Sequence, residues 1–242
     1  LAGAVSPRPG KYALSRAMSD ATDQASPASS GMDKFYKALF AGVWMAILLG
    51  LLVQGAVFAA KLLAGGKVPQ AQLLVDVASG ITWAMVVCGG VAIGTAASRN
   101  VPQTMGLLGL VFAPLAFAAA KAVQRGIGGI VGQPPEALTP LLFQTGAVKA
   151  VEYALLGFIL GRIIRTSKST LPNHAMIGLG FGVVFSATFV WLLFLNAAPG
   201  AAVPTARVAG TAINELIFPM GCSMVIYWVT QLGMRGAAMA RG

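Results

Sequence analysis

Apolar residues run along this chain in six long stretches, near 38–61, 73–96, 104–123, 143–165, 175–196 and 208–231, separated by short polar breaks. A helix needs about 20 predominantly apolar residues to cross the hydrocarbon core of a bilayer. Each stretch is of that order, so the pattern predicts an all-α integral membrane protein with six transmembrane helices. The third stretch is the weakest, with Pro114 inside it and Lys121 near its end, and the sixth contains Pro219. Both prolines are expected to kink their helices without ending them, because neighbours can re-satisfy the freed carbonyls. Gly126-Ile127-Gly128-Gly129 reads as a loop and follows no strand, so it carries no phosphate-binding signal.

Residues 1–33 have a different texture, rich in Ser, Ala, Pro and Gly. Such a composition cannot bury enough apolar surface to fold alone. They are expected to form a polar, flexible tail, with residues 34–242 making up the six-helix transmembrane domain. Arg8, Lys11 and Arg16 precede the first acid, Asp20. That acid-poor, hydroxyl-rich start also matches an organellar targeting peptide.

A weak repeat joins the stretches. Val101-Pro102-Gln103-Thr104-Met105 recurs in outline as Leu171-Pro172-Asn173-His174-Ala175-Met176, 70 residues later. The preceding helix carries a Gly-x-x-x-Gly in each case, Gly90 to Gly94 and then Gly157 to Gly161. The chain is therefore expected to be three tandem helical hairpins of about 70 residues. Gly178 to Gly182 adds a third small-residue pair. Helices in lipid associate through close backbone approach, so these six glycines are expected at helix contacts within the bundle. Trp44, Trp191 and Trp228 fall near span ends and read as interfacial anchors, whereas Trp83 lies deeper and is expected against a neighbouring helix.

Composition agrees and removes alternatives. The chain is 57% hydrophobic and only 10% charged, against about 25% charged in ordinary soluble domains. Its net charge of +10 comes from cations scattered singly between apolar runs, not from a basic patch, so no nucleic-acid partner is expected. Cys88 and Cys222 both lie inside apolar stretches, which leaves no disulfide framework and no Cys-x-x-Cys motif.

The cations also suggest an orientation. With the N-terminus inside, 11 of the 17 Lys and Arg fall on the inner face: Arg8, Lys11, Arg16, Lys34, Lys37, Arg99, Arg162, Arg165, Lys168, Arg235 and Arg241. Lys61, Lys67, Lys121, Arg125, Lys149 and Arg207 fall outside. The bias places both termini in the cytoplasm, in a bacterial inner membrane or an organellar one.

Candidate chemistry is sparse. The single histidine, His174, stands at a helix entry without acid or thiol neighbours, so it suggests an interface position and not a metal ligand. No metal or cofactor site is expected. The informative groups are the membrane acids. Glu152 lies deep in the fourth stretch, three positions after Lys149, so the two share a helix face and can pair. Asn214 and Glu215 occupy the comparable part of the sixth, with Arg207 two turns earlier. Intramembrane ionisable groups are costly and usually face a partner or a cavity. Lys149, Glu152, Asn214 and Glu215 are therefore the candidate polar cluster. Asp76 reads as a helix-start acid favoured by the macrodipole.

Val151-Glu152-Tyr153 followed by His174-Ala175-Met176-Ile177-Gly178-Leu179-Gly180-Phe181 resembles the PrsW-like intramembrane proteases. In that family a paired-glutamate helix precedes a Gly-Leu-Gly-Phe helix ending in Glu-Asn. Here Tyr153 stands for the second glutamate, Phe185-Ser186 for Glu-Asn, and the later family histidine has no counterpart. The resemblance implies at most a degenerate relative without the catalytic parts.

Three functions follow in order of expectation. The first is a non-enzymatic scaffold, assembly or accessory subunit, partnered by the lipid bilayer and other membrane subunits. The alternative is a small-molecule or ion transporter or channel built round the Lys/Glu/Asn cluster. A degenerate protease relative comes last.

Overall fold

The computed structural model describes residues 27–97, 100–133 and 139–239. Among them are six helices: α1 (Pro27–Leu63), α2 (Gln70–Ala97), α3 (Val101–Ile130), α4 (Pro140–Ile163), α5 (Leu171–Leu195) and α6 (Thr205–Met239). Five contain stretches long and apolar enough to cross a membrane: Phe40–Leu63, Gln70–Gly94, Val101–Ile130, Leu171–Leu195 and Thr205–Leu232. Helix α4 is the exception, because Lys149, Glu152 and Arg162 interrupt its 24 residues. The expected tail lies mostly outside the described residues. Where it meets them the boundary moves, for α1 already begins at Pro27.

Local chemistry sets the ends. Prolines near the starts of α3, α4 and α5 place a residue with no N–H where the helix could not use one. Thr170 caps α5 by accepting from the Asn173 amide. Helix α3 runs through Gly126-Ile127-Gly128-Gly129, which corrects the loop reading. It ends where Gly132 turns to φ +74°, with Gln133 N–H donating to the Gly128 carbonyl and Gly132 N–H to that of Gly129. Gly65 closes α1 in the same manner. Glycine takes this left-handed turn at little cost, and the turn stops the helix. Three glycines within four residues weaken the helix's propensity but do not break its hydrogen bonds. Helices α3 and α6 likewise continue past Pro114 and Pro219.

Packing follows the chain from α1 through α4, after which α5 lies against α6 and α6 closes back on α1. The contact between α4 and α5 is slight. Pairs α3–α4 and α5–α6 are intimate hairpins, but α2 meets α3 just as closely, and α1 lies more on α6 than on α2. The glycine seams also cut across the expected repeat. A methyl on Gly94 would meet Met105 of α3, and one on Gly161 would lie 2.6 Å from Pro102 Cα, again on α3. Thus α3 is clasped on two sides, by α2 and by α4. A strict repeat would have α4 use its seam on α5. Gly178 instead carries α5 onto α6, 2.5 Å from Met220 Cα for an added Cβ. Gly106 and Gly109 of α3 complete the α3–α4 seam from the other side.

Trp44 and Trp191 are more than half exposed and Trp228 less so. Trp83 is buried, edge-on to Tyr153 and Phe218 with ring centroids 5.7 and 6.0 Å apart. It locks α2 to α4 and α6 in the middle of the bundle.

Candidate functional site

Helices α2, α4 and α6 begin on the same face of the bundle as α1 and α3 end, and that face opens into a pocket of about 350 Å³. The pocket's depth can be read along α6. Arg207 stands near the first turn and Phe218 at the floor, 11 residues apart and hence about 16 Å at 1.5 Å per residue. The wall between them is Gly210, Thr211, Asn214 and Glu215. Neighbouring helices contribute matching layers. Lys61, Asp76 and Lys121 lie at the mouth, while Gln54, Trp83, Phe117 and Lys149 lie deeper.

At the floor the Lys149 ammonium is shared by two carboxylates. It donates to Glu152 Oε2 at 2.9 Å along its own helix and also to Glu215 Oε2 on α6. Asn214 donates to the other Glu215 oxygen at 3.1 Å. Three rings surround the ammonium: Phe189, Trp83 and Tyr153, with centroids 4.7, 5.3 and 5.5 Å away. Aromatic faces carry partial negative charge and favour a desolvated cation there. All four sequence candidates are thus brought together, and Glu215 reaches Lys149, not the Arg207 two turns above it. Glu152 is wholly buried, and its Oε1 has no hydrogen-bond partner among the described residues. Two carboxylates on one ammonium leave a surplus acceptor in a site with little solvent.

Two readings change. Asp76 is not a helix-start acid, since it sits in the second turn of α2. There it accepts from Lys61 Nζ at 2.9 Å and from Gln72 Nε2 at 2.6 Å, tying α2 to α1 at the mouth. His174 is fully buried rather than at an interface, its Nδ1 3.0 Å from the Thr170 carbonyl and its ring against Tyr227 at 5.2 Å. It lies at the opposite end of the bundle from the pocket, so Glu152 and His174 do not form a joint site.

Sequence reasoning missed several groups. The Phe189 ring over Lys149, the lining residues Gln54, Thr145 and Thr211, and the meeting of Cys88 with Cys222, whose sulfurs are 3.0 Å apart, all depend on helix rotation. No periodicity in one chain reports that angle. The described residues contain no group of three or more His, Cys, Asp or Glu that could hold a metal ion.

Five apolar helices of spanning length, packed round a partly polar centre, give the chain the makeup of a multi-pass helical membrane protein. No family model, curated protein or solved structure matches it.

Proposed function

We propose that the chain crosses a bacterial inner membrane six times, with both termini in the cytoplasm, and that it carries a small polar solute or ion. The observation that supports this reading is the pocket itself, lined with polar groups from five helices and floored by a buried Lys–Glu–Glu cluster. Helix α4 spans despite its charges because Lys149 and the two glutamates neutralise most of one another once α6 is in place. An accessory or scaffold subunit needs only packed seams, and it leaves the pocket without a use. Intramembrane charges that face a cavity are what a solute path requires.

The test is accessibility. Thr145→Cys and Thr211→Cys, in a background of Cys88→Ala and Cys222→Ala, are exposed to an impermeant maleimide from either side of sealed vesicles. A carrier is labelled quickly from the mouth side and slowly from the other as it alternates. Labelling from neither side sinks the reading, and labelling from the mouth side alone reduces the protein to a binding component.

A further inference from the structure

We propose that the floor of the pocket is a proton site, that Glu152 holds one exchangeable proton beside the Lys149 ammonium, and that this proton is the ion of the path. The last clause rests on the pocket being the solute path. Charge is out of balance at the floor. Lys149 supplies one positive charge, while Glu152 and Glu215, which both bond it, supply two negative ones. The Asn214 amide completes Glu215 without adding charge. Glu152 is wholly buried, and its Oε1 finds no donor among the described residues. A buried charge without a compensating partner is costly. One proton on Glu152 makes the cluster neutral, and an unbonded neutral O–H costs less than an unbonded anion.

The surrounding helices leave that surplus in place. On α6, Arg207 stands eight residues before Glu215, about 12 Å along the axis at 1.5 Å per residue and beyond ion-pair reach. On α3, Lys121 donates to Gln124 of its own helix, and on α1, Lys61 is paired with Asp76 of α2. Helix α5 turns the Phe189 ring to the cluster, and its His174 lies at the far end of the bundle. Tyr153 of α4, Cys88 of α2 and Cys222 of α6 are also buried, and each is neutral in its ordinary form. Helix ends of both signs meet at the mouth. Their fields fade within a turn, short of Lys149, the tenth residue of α4. The three rings round Lys149 favour its charged form, so the extra proton belongs to a carboxylate.

Access decides what the ligand is. Lys149 and Glu215 line the pocket, whereas Glu152 is sealed from it. Hard cations require a shell of several oxygens, which a sealed carboxylate cannot offer. A proton needs one. Glu215 takes it from solvent in the pocket. The Glu215 O–H then gives its hydrogen to the Lys149 nitrogen while the ammonium gives one of its own to Glu152. One O–H and one N–H bond break, one of each forms, and Lys149 keeps its charge. A half-turn of the Glu152 carboxyl sets its bare oxygen back on Lys149. Chains of this kind are how acids within a membrane relay protons.

The test is infrared difference spectroscopy on the full chain in zwitterionic-lipid nanodiscs, between neutral and strongly alkaline buffer. The parent is expected to show the carbonyl stretch of a protonated carboxyl at neutral pH, shifted down in heavy water and lost on the alkaline side. Isotopic labelling of glutamate carboxyls should move the band, which separates it from any aspartate without altering the chain. Glu152→Gln should remove it. Glu152→Asp should keep it at a displaced frequency, which tells loss of the acid from loss of the fold. No band in the parent, a band indifferent to the label, or one unmoved by both substitutions overturns the site. Maleimide labelling of Thr145→Cys and Thr211→Cys then tests the path at both pH values. The ratio of the two sides, which cancels the reagent's own pH dependence, should change with pH and cease to change in Glu152→Gln. Labelling from both sides at a ratio indifferent to pH would leave the path and overturn the proton as its ion. The infrared band with labelling from neither side would uphold the proton site and remove the path.

Discussion

Lys149 on α4 and Glu215 on α6 are 66 residues apart in the chain, yet Glu215 bonds the same ammonium that Glu152 holds from one turn away. The shared ammonium turns a local i,i+3 pair into a tie between two helices. It also changes what happens when one charge is removed.

Lys149→Met should be the most destabilising change in the cluster, because it leaves two buried carboxylates facing each other. Breaking a buried ion pair from one side typically costs about 3–5 kcal/mol. Glu152→Gln should be milder, since Glu215 still neutralises Lys149. Adding Glu152→Gln and Glu215→Gln to Lys149→Met should recover much of the loss. Thermal unfolding in detergent ranks the variants, and a triple variant no better than Lys149→Met would rule out the charge account.

Gly157→Leu and Gly161→Leu should each lower the unfolding temperature strongly. Overpacking a tight contact costs about 1–3 kcal/mol, and here the obstruction is the backbone of Met105 and Pro102, which cannot rotate away. Gly180→Leu is the control, because nothing lies within 4 Å of an added Cβ at that position. Equal melting of all three would place the α3–α4 seam elsewhere.

Cys88 and Cys222 report the contact between α2 and α6. With sulfurs 3.0 Å apart in the reduced protein, diamide should take one hydrogen from each thiol and join them, although burial will slow the reaction. Peptide mapping after alkylation should show a linked pair in the parent and none in Cys88→Ala. Full alkylation of both thiols after prolonged oxidant would mean that α2 and α6 do not meet at this height.

Topology can be read from the loops. Cysteines placed within residues 62–72 and 197–206 should react with an impermeant reagent from the outside only. Reaction solely from the cytoplasmic side would invert the proposed orientation, and the pocket mouth with it.

Much of the fold was legible because long apolar stretches obey a strong, local rule. Backbone groups in the membrane must bond within their own helix, so six apolar stretches became six helices, with ends displaced by only a few residues for α2, α4 and α5. The exceptions have local causes. Gly126-Ile127-Gly128-Gly129 looked like a loop because glycine is permissive, whereas the helix stops only where Gly132 adopts positive φ. Asp76 looked like a dipole acid because its partner, Lys61, belongs to the preceding helix.

The sequence by itself determined which segments are helical, that Lys149 and Glu152 share a face, and which glycines come in four-residue pairs. These are properties of a single helix, set by 3.6 residues per turn. Tertiary structure alone decided that α2 and α4 both turn their glycines on α3, that Glu215 completes the charge cluster, and that five helices leave a pocket above it. Those outcomes depend on how each helix is rotated and which neighbour it meets. In lipid every apolar face is equally solvated, so hydrophobicity does not choose the neighbour. Close contacts and the pairing of buried charges do, and both arise only between helices.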